Sequence, residues 1–126
     1  MIYTLKNDVL TVEIESFGAE LKSVKSNATG TEYMWCADEK YWKRTAPVLF
    51  PIVGSLNHKE YTYKGEKYEM SQHGFARDRE FNVISNTENA VWMELNEDKE
   101  TLAVYPFKFT LQIGYELSDN QVKVLW

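Results

Sequence analysis

The chain has 126 residues, 44% of them apolar and 14% aromatic, with a formal net charge of -5. That length points to one domain over residues 1–126, and a chain of this size buries roughly two-thirds of the surface it exposes when unfolded. The acidic balance excludes the clustered Lys and Arg of a nucleic-acid surface, the 26% mixed-sign charge excludes intrinsic disorder, and no stretch approaches the roughly 20 apolar residues of a membrane-spanning helix.

In chain order, a first short strand is expected over Ile2–Leu5, and Asn7-Asp8 turns it back. Leu10, Val12 and Ile14 alternate with Thr11, Glu13 and Glu15, the period of a strand with one wet face. Leu21–Lys25 reads as the next strand, and the turn cluster 27–30 hands over to a further one at Thr31–Met34. One helical turn is expected at Asp38–Trp42, with Asp38 as its N-cap. Tyr61–Tyr63 and Lys67–Glu69 flank Gly65 as a hairpin. Strands follow at Arg79–Ser85, at Ala90–Leu95, along the alternating Phe109, Leu111, Ile113 and Tyr115, and at Gln121–Trp126 after the turn 118–120. Short strands between turn signals predict an all-β fold, an antiparallel β-sandwich. Its core should hold Leu10, Val12, Ile14, Phe109, Leu111 and Ile113.

Two segments break this rhythm. Arg44–Gly54 contains Pro47 and Pro51, which lack a ladder donor, so it is no central strand. Ser71–Asp78 carries His73 beside Gly74. A histidine in a loop next to a residue without a Cβ leaves room for a ligand and exchanges protons near neutral pH; a loop-fixing hydrogen bond is the competing reading. Arg77 and Arg44 suit sugar hydroxyls or a phosphate, against a surface ion pair of Arg77 with Asp78 or Glu80. Trp42 and Phe75, with Trp35, Tyr41 and Phe50, supply aromatic faces of the kind sugar sites use, against plain core filling. His58 lies in a very polar turn and reads as solvated. The two histidines have no ligand spacing, so no metal is expected, and no glycine-rich phosphate loop or nucleophile elbow is present. Cys36 alone forms no internal disulfide, and Met1–Lys6 has neither the basic head nor the apolar run of a secretory leader, so a reduced, cytoplasmic protein is expected. The residues by themselves do not fix a function.

Phe17-Gly18-Ala19-Glu20-Leu21, Trp42–Gly54, Gln72-His73-Gly74-Phe75-Ala76-Arg77-Asp78 and Tyr105-Pro106-Phe107 together resemble the aldose 1-epimerase (galactose mutarotase) superfamily, in particular its LacX-like branch of bacterial proteins. The resemblance implies the front portion of a β-supersandwich longer than this chain. It implies interconversion of the anomers of a free aldose or a hexose phosphate, without a cofactor: a glutamate base takes the C1 hydroxyl proton, a histidine protonates the ring oxygen, and the ring opens and recloses. His73 matches the first of the family's two active-site histidines and is expected to act as general acid toward the ring oxygen. Arg77 belongs to the same motif, Arg44 is a weaker candidate for the substrate side, and Phe75 and Trp42 are expected to line the sugar. Many relatives carry arginine after Pro-Ile-Val-Gly, where this chain has Ser55. The second histidine and the glutamate lie in the family's later part, so this chain alone is expected to be nearly inactive. The apolar strand ending at Trp126 carries two expectations: a truncated longer domain, and self-association through that strand. A non-catalytic sugar-binding module and a purely structural β-domain remain as alternatives.

Overall fold

Segments with a period of two dominate the chain, and the computed structural model, which describes residues 1–126, folds them into nine antiparallel strands. The first sheet is β1 (Ile2–Lys6), β2 (Leu10–Glu15) and β3 (Glu20–Ser26), in that order. Asn7 makes the β1–β2 turn, its Oδ1 accepting the N–H groups of Val9 at 2.9 Å and Leu10 at 2.8 Å. On β2 the alternation works as read: Val12 and Ile14 are fully buried and Leu10 nearly so. The hairpin β4 (Glu60–Tyr63) and β5 (Glu66–Glu69) turns through Lys64 (φ 50°) and Gly65 (φ 83°). Both positive angles belong to a two-residue turn that matches strand twist.

The third sheet runs β6 (Asn82–Asn86), β7 (Ala90–Asn96), β8 (Thr110–Ser118) and β9 (Gln121–Leu125), each pairing with the next. Gly114 on β8 lies opposite Trp92 on β7, and a Cβ there would sit 2.6 Å from the indole, so the glycine makes room for the ring. The inner faces of the two larger sheets share one core. Leu5, Val12 and Ile14 from the first join Val91, Met93, Ile113, Tyr115 and Leu117 from the third. Each such side chain contributes about 1.5–3 kcal/mol on burial. Of the six core residues expected from sequence, Leu10, Val12, Ile14 and Ile113 are buried, while Phe109 and Leu111 are half-buried against the cluster. The sheets are also tied through the backbone: Lys6 N–H donates to Glu88 O at 3.1 Å, and Phe17 bridges Glu80.

One local expectation needs correction. Thr31–Met34 is not a strand; only Glu32 bridges Lys25. The Glu32 carboxylate turns back to accept from Ser23 Oγ, Val24 N–H and Met34 N–H, which ends the ladder there. Partial burial opposes ionisation of that carboxyl, but these hydrogen bonds and the Lys25 charge outweigh it and hold its pKa below the ordinary glutamate value. Asp38–Trp42 makes the single turn expected: Asp38 O accepts the N–H groups of Tyr41 at 3.0 Å and Trp42 at 2.9 Å, and Asp38 Oδ1 accepts from Lys40 N–H at 2.9 Å.

The α-helix lies elsewhere, at α1 (Lys99–Val104), in a stretch with no element assigned from sequence. Its start is a reciprocal cap. Asp98 Oδ1 accepts the Thr101 N–H at 2.7 Å, and Asp98 N–H donates to Thr101 Oγ1 at 2.8 Å. Arg79 ties this helix to the rest, pairing with Asp98 at 3.0 Å and Glu100 at 2.8 Å.

Candidate functional site

The two irregular segments of the sequence lie against each other. Prolines 47 and 51 leave the first without ladder donors, so its neighbour uses its carbonyls instead. Phe50 O accepts the N–H groups of Phe75 at 2.9 Å and Ala76 at 3.2 Å. Gly74, with φ +71°, permits this approach, because a Cβ would sit 2.5 Å from the Phe50 carbonyl carbon and 2.6 Å from Pro51 Cδ.

His73 is held one residue earlier by a reciprocal pair. Its N–H donates to Gly54 O at 2.8 Å, and the Gly54 N–H donates to its Nδ1 at 2.8 Å. The ring lone pair at Nδ1 is therefore occupied. The proton of the neutral imidazole sits on Nε2, which has no hydrogen-bond partner within the chain. His73 has φ +65°, a conformation that costs a non-glycine residue about 1–3 kcal/mol. The two bonds to Gly54 offset that strain and fix the ring. The loop-fixing hydrogen bond and the free proton-bearing nitrogen, set against each other in the sequence reading, belong to the same side chain.

Arg77 and Arg44 form a network that begins at the carbonyl before His73. Arg77 lies in the 3-10 turn Ala76–Asp78, and its Nη2 donates to Gln72 O at 3.0 Å, which folds the guanidinium back beside the histidine's own peptide. Arg44 Nη2 binds Asp78 Oδ1 at 2.7 Å, and its Nη1 reaches Arg77 O at 3.3 Å. Arg77 Nε stands 3.8 Å from the other Asp78 oxygen and is buried without a hydrogen-bond partner. The ion pair weighed against a substrate role for Arg77 is thus present, and it recruits Arg44 as well. Asp78 holds two cations at one edge of the loop.

The other two nominated residues lie outside this network. Phe75 is 9% exposed, with its ring centroid 6.0 Å from Phe50, 5.8 Å from Phe109 and 6.3 Å from Tyr105, so it serves the aromatic core beneath the loop. Trp42 is 49% exposed, and its carbonyl accepts the Trp35 indole N–H at 2.8 Å. His58 is exposed in its polar turn.

Three supporting residues stand in the quoted motifs but were given no role from sequence. Gly54 grips His73. Gly18 donates to Arg79 O at 2.7 Å, and a Cβ on it would lie 2.8 Å from Arg77 O. Glu20, 7% exposed, accepts two backbone N–H groups on one carboxylate oxygen, Thr45 at 2.7 Å and Ala46 at 2.8 Å. The Phe17-Gly18 break in the strand pattern was visible; what it packs against was not. The largest concavity, about 440 Å³, lies elsewhere, lined by Val9, Leu10, Val24, Tyr33, Met34 and Val122 among others. It holds none of these groups.

Known proteins share this fold. Over 97% of this chain, the structure of a galactose mutarotase related enzyme from Lactobacillus acidophilus superposes with a TM-score of 0.95 at 48% identity, and the match covers 41% of that chain. A galactose mutarotase-like protein from Lactobacillus casei ATCC 334 superposes with a TM-score of 0.95 at 39% identity, covering 98% of this chain and 42% of that one. The plasmid-borne protein LacX of Lactococcus lactis subsp. lactis is 35% identical over 98% of this chain, which spans 42% of its length. The aldose 1-epimerase family model matches residues 1–125, the full run of strands from β1 to β9 together with the His73 loop, and on that match the chain belongs to the aldose 1-epimerase family.

Proposed function

We propose that residues 1–126 form the front part of a longer mutarotase-like domain that interconverts the anomers of a free aldose or a hexose phosphate, and that this portion alone turns over little. The observation that carries the reading is His73 Nε2: a proton-bearing nitrogen without a protein partner, on a ring fixed by Gly54, in a loop whose Gln72 carbonyl holds Arg77 and whose Asp78 holds Arg44. Ring opening builds negative charge on the sugar's ring oxygen. A preorganised N–H aimed at that oxygen stabilises the charge as it develops and typically contributes 10² to 10³-fold in rate. Protonating Nδ1 would break the bond from Gly54. The geometry therefore favours His73 as a hydrogen-bond donor to the ring oxygen, and the proton itself comes from a second acid. Family resemblance assigns that acid, and the glutamate base at the C1 hydroxyl, to the part of the fold after residue 126. Arg44 and Arg77 suit sugar hydroxyls or a phosphate. Trp42, the exposed aromatic nearest in sequence to Arg44, suits the apolar face of a pyranose, and Phe75 supports the loop from below.

The same reading makes the protein cytoplasmic, with a sugar or sugar phosphate as ligand and neither nucleic acid nor membrane as partner. No helix is long and apolar enough to cross a membrane. Polarimetry of freshly dissolved α-D-glucose or α-D-galactose tests the activity. A family-length protein with this chain as its front part should accelerate the rotation change, and His73→Ala in it should remove most of the acceleration. The 126-residue chain should show almost none. Full activity in the short chain would refute the assignment of the base. An unchanged rate in the His73 variant would refute the role of His73, and no acceleration by the family-length protein would leave a sugar-binding module as the better reading.

A further inference from the structure

Glutamate is almost never as buried as Glu20 unless it is paired. Its carboxylate starts from a point fixed by three elements. The Tyr115 hydroxyl on β8 donates to Ala19 O at 2.7 Å, Gly18 N–H holds Arg79 O at 2.7 Å, and Glu20 itself opens β3 opposite Glu15. From there Oε1 accepts the N–H groups of Thr45 and Ala46 at 2.7 and 2.8 Å, short charge-assisted bonds, while Oε2 faces Lys22 Nζ at 3.3 Å. The next residue, Pro47, has no N–H, so this carboxylate anchors the start of the irregular segment. Arg44 directly precedes the anchored pair and reaches 34 residues along the chain to Asp78.

We infer that Glu20 is a positioning residue for the arginine side of the site: through Oε1 it fixes the chain at Thr45–Ala46 and thereby the reach of Arg44 to Asp78 and to the Arg77 carbonyl. This rests on the sugar-site reading for what Arg44 does, but not for where Arg44 lies. Length, rather than charge, is the property required. A glutamine keeps an acceptor oxygen at the same reach, whereas an aspartate keeps the charge and falls one methylene short.

The test compares Glu20→Gln, Glu20→Asp and Glu20→Ala in the 126-residue chain by NMR, with Lys22→Ala as a control. In Glu20→Asp and Glu20→Ala the Thr45 and Ala46 amides should exchange with solvent about 10- to 100-fold faster, the range expected for losing bonds to a charged acceptor. The Arg44 guanidinium signals should also move towards free-arginine positions. Lys22→Ala should keep both signatures, and Glu20→Gln should keep the Arg44 positions with a smaller rise in amide exchange than Glu20→Asp. If Glu20→Ala does not fold, the Asp and Gln pair decides. Wild-type behaviour in Glu20→Asp, or equal losses in Glu20→Gln and Glu20→Asp, would overturn the inference. A second arm titrates D-galactose and galactose 6-phosphate. Affinity should fall in Glu20→Asp and hold in Glu20→Gln. If the wild-type chain takes up neither probe, the sugar reading falls for this chain, and the Arg44 signals still decide the role of Glu20.

Discussion

Gly74 tests most directly how the two irregular segments are joined. In Gly74→Ala the new methyl would meet the Phe50 carbonyl carbon at 2.5 Å and Pro51 Cδ at 2.6 Å, both parts of a fixed chain rather than the end of a flexible side chain. Ordinary contact begins roughly 1 Å further out, so the Phe50–Pro51 backbone must retreat. That movement breaks the bonds from Phe75 and Ala76 to Phe50 O, at about 1 kcal/mol each. The φ of +71° costs an alanine about 1–2 kcal/mol more. The sum is about 3–4 kcal/mol, a large share of the ~5–15 kcal/mol that holds a domain together. Gly65→Ala supplies the control, since φ is +83° there but nothing stands within 4 Å, so only the conformational cost of about 1–2 kcal/mol applies. Gly18→Ala, with φ +75° and Arg77 O at 2.8 Å from the new carbon, should fall between them. Urea unfolding of the three variants gives the order. A Gly74→Ala loss within 1 kcal/mol of the Gly65→Ala loss would refute the claim that the loop is pinned to Phe50 by close backbone approach.

Three further outcomes are expected. Asp98→Ala should cost about 1 kcal/mol in urea unfolding at neutral pH through the lost cap of α1. Because the Thr101 N–H and the Arg79 charge hold the Asp98 carboxyl below its ordinary value despite slight burial, its contribution is complete above the ordinary aspartate range and disappears as pH falls through the lower folded value, so the gap between variant and wild type should close in acid. Nitrogen-15 NMR should find His73 as the Nε2–H tautomer at neutral pH; an Nδ1–H ring would contradict the bond from Gly54. Light scattering at high concentration should find a dimer or larger assembly that pairs through the free edge of β9, where Val124 is 47% and Trp126 65% exposed; a clean monomer with Trp126 packed in its own chain would refute it.

Much of the fold was legible because alternation is a local signal. Leu10, Val12 and Ile14 announce both a strand and the face it buries, and Lys64-Gly65 announces its own turn. The errors fall where a side chain overrules the backbone pattern. Glu32 curls back onto β3 and ends what Thr31–Met34 would have continued. The Asp98–Thr101 cap starts a helix in a stretch too short and polar to show helical periodicity. For the candidate site, His73, Arg77 and Arg44 were nominated from motif and residue type. Gly54, Gly18 and Glu20 stood in the quoted motifs, but their contacts were not readable there, because each acts on a partner 19 to 61 residues away: Gly54 on His73, Glu20 on Thr45, Gly18 on Arg79. No local pattern records such a pairing.

That division bears on how the site works. A donor stabilises a developing charge only if it is already in place when the charge appears, since reorienting it at that moment costs what it would contribute. Every contact found to hold His73 and the two arginines comes from residues 18–79: Gly54 on the ring, Gln72 and Asp78 on the guanidiniums, Gly18 behind Arg77, and Glu20 behind Arg44. The strained φ of His73 is met by bonds from the same stretch. The donor side of the proposed chemistry is therefore built and braced within this chain.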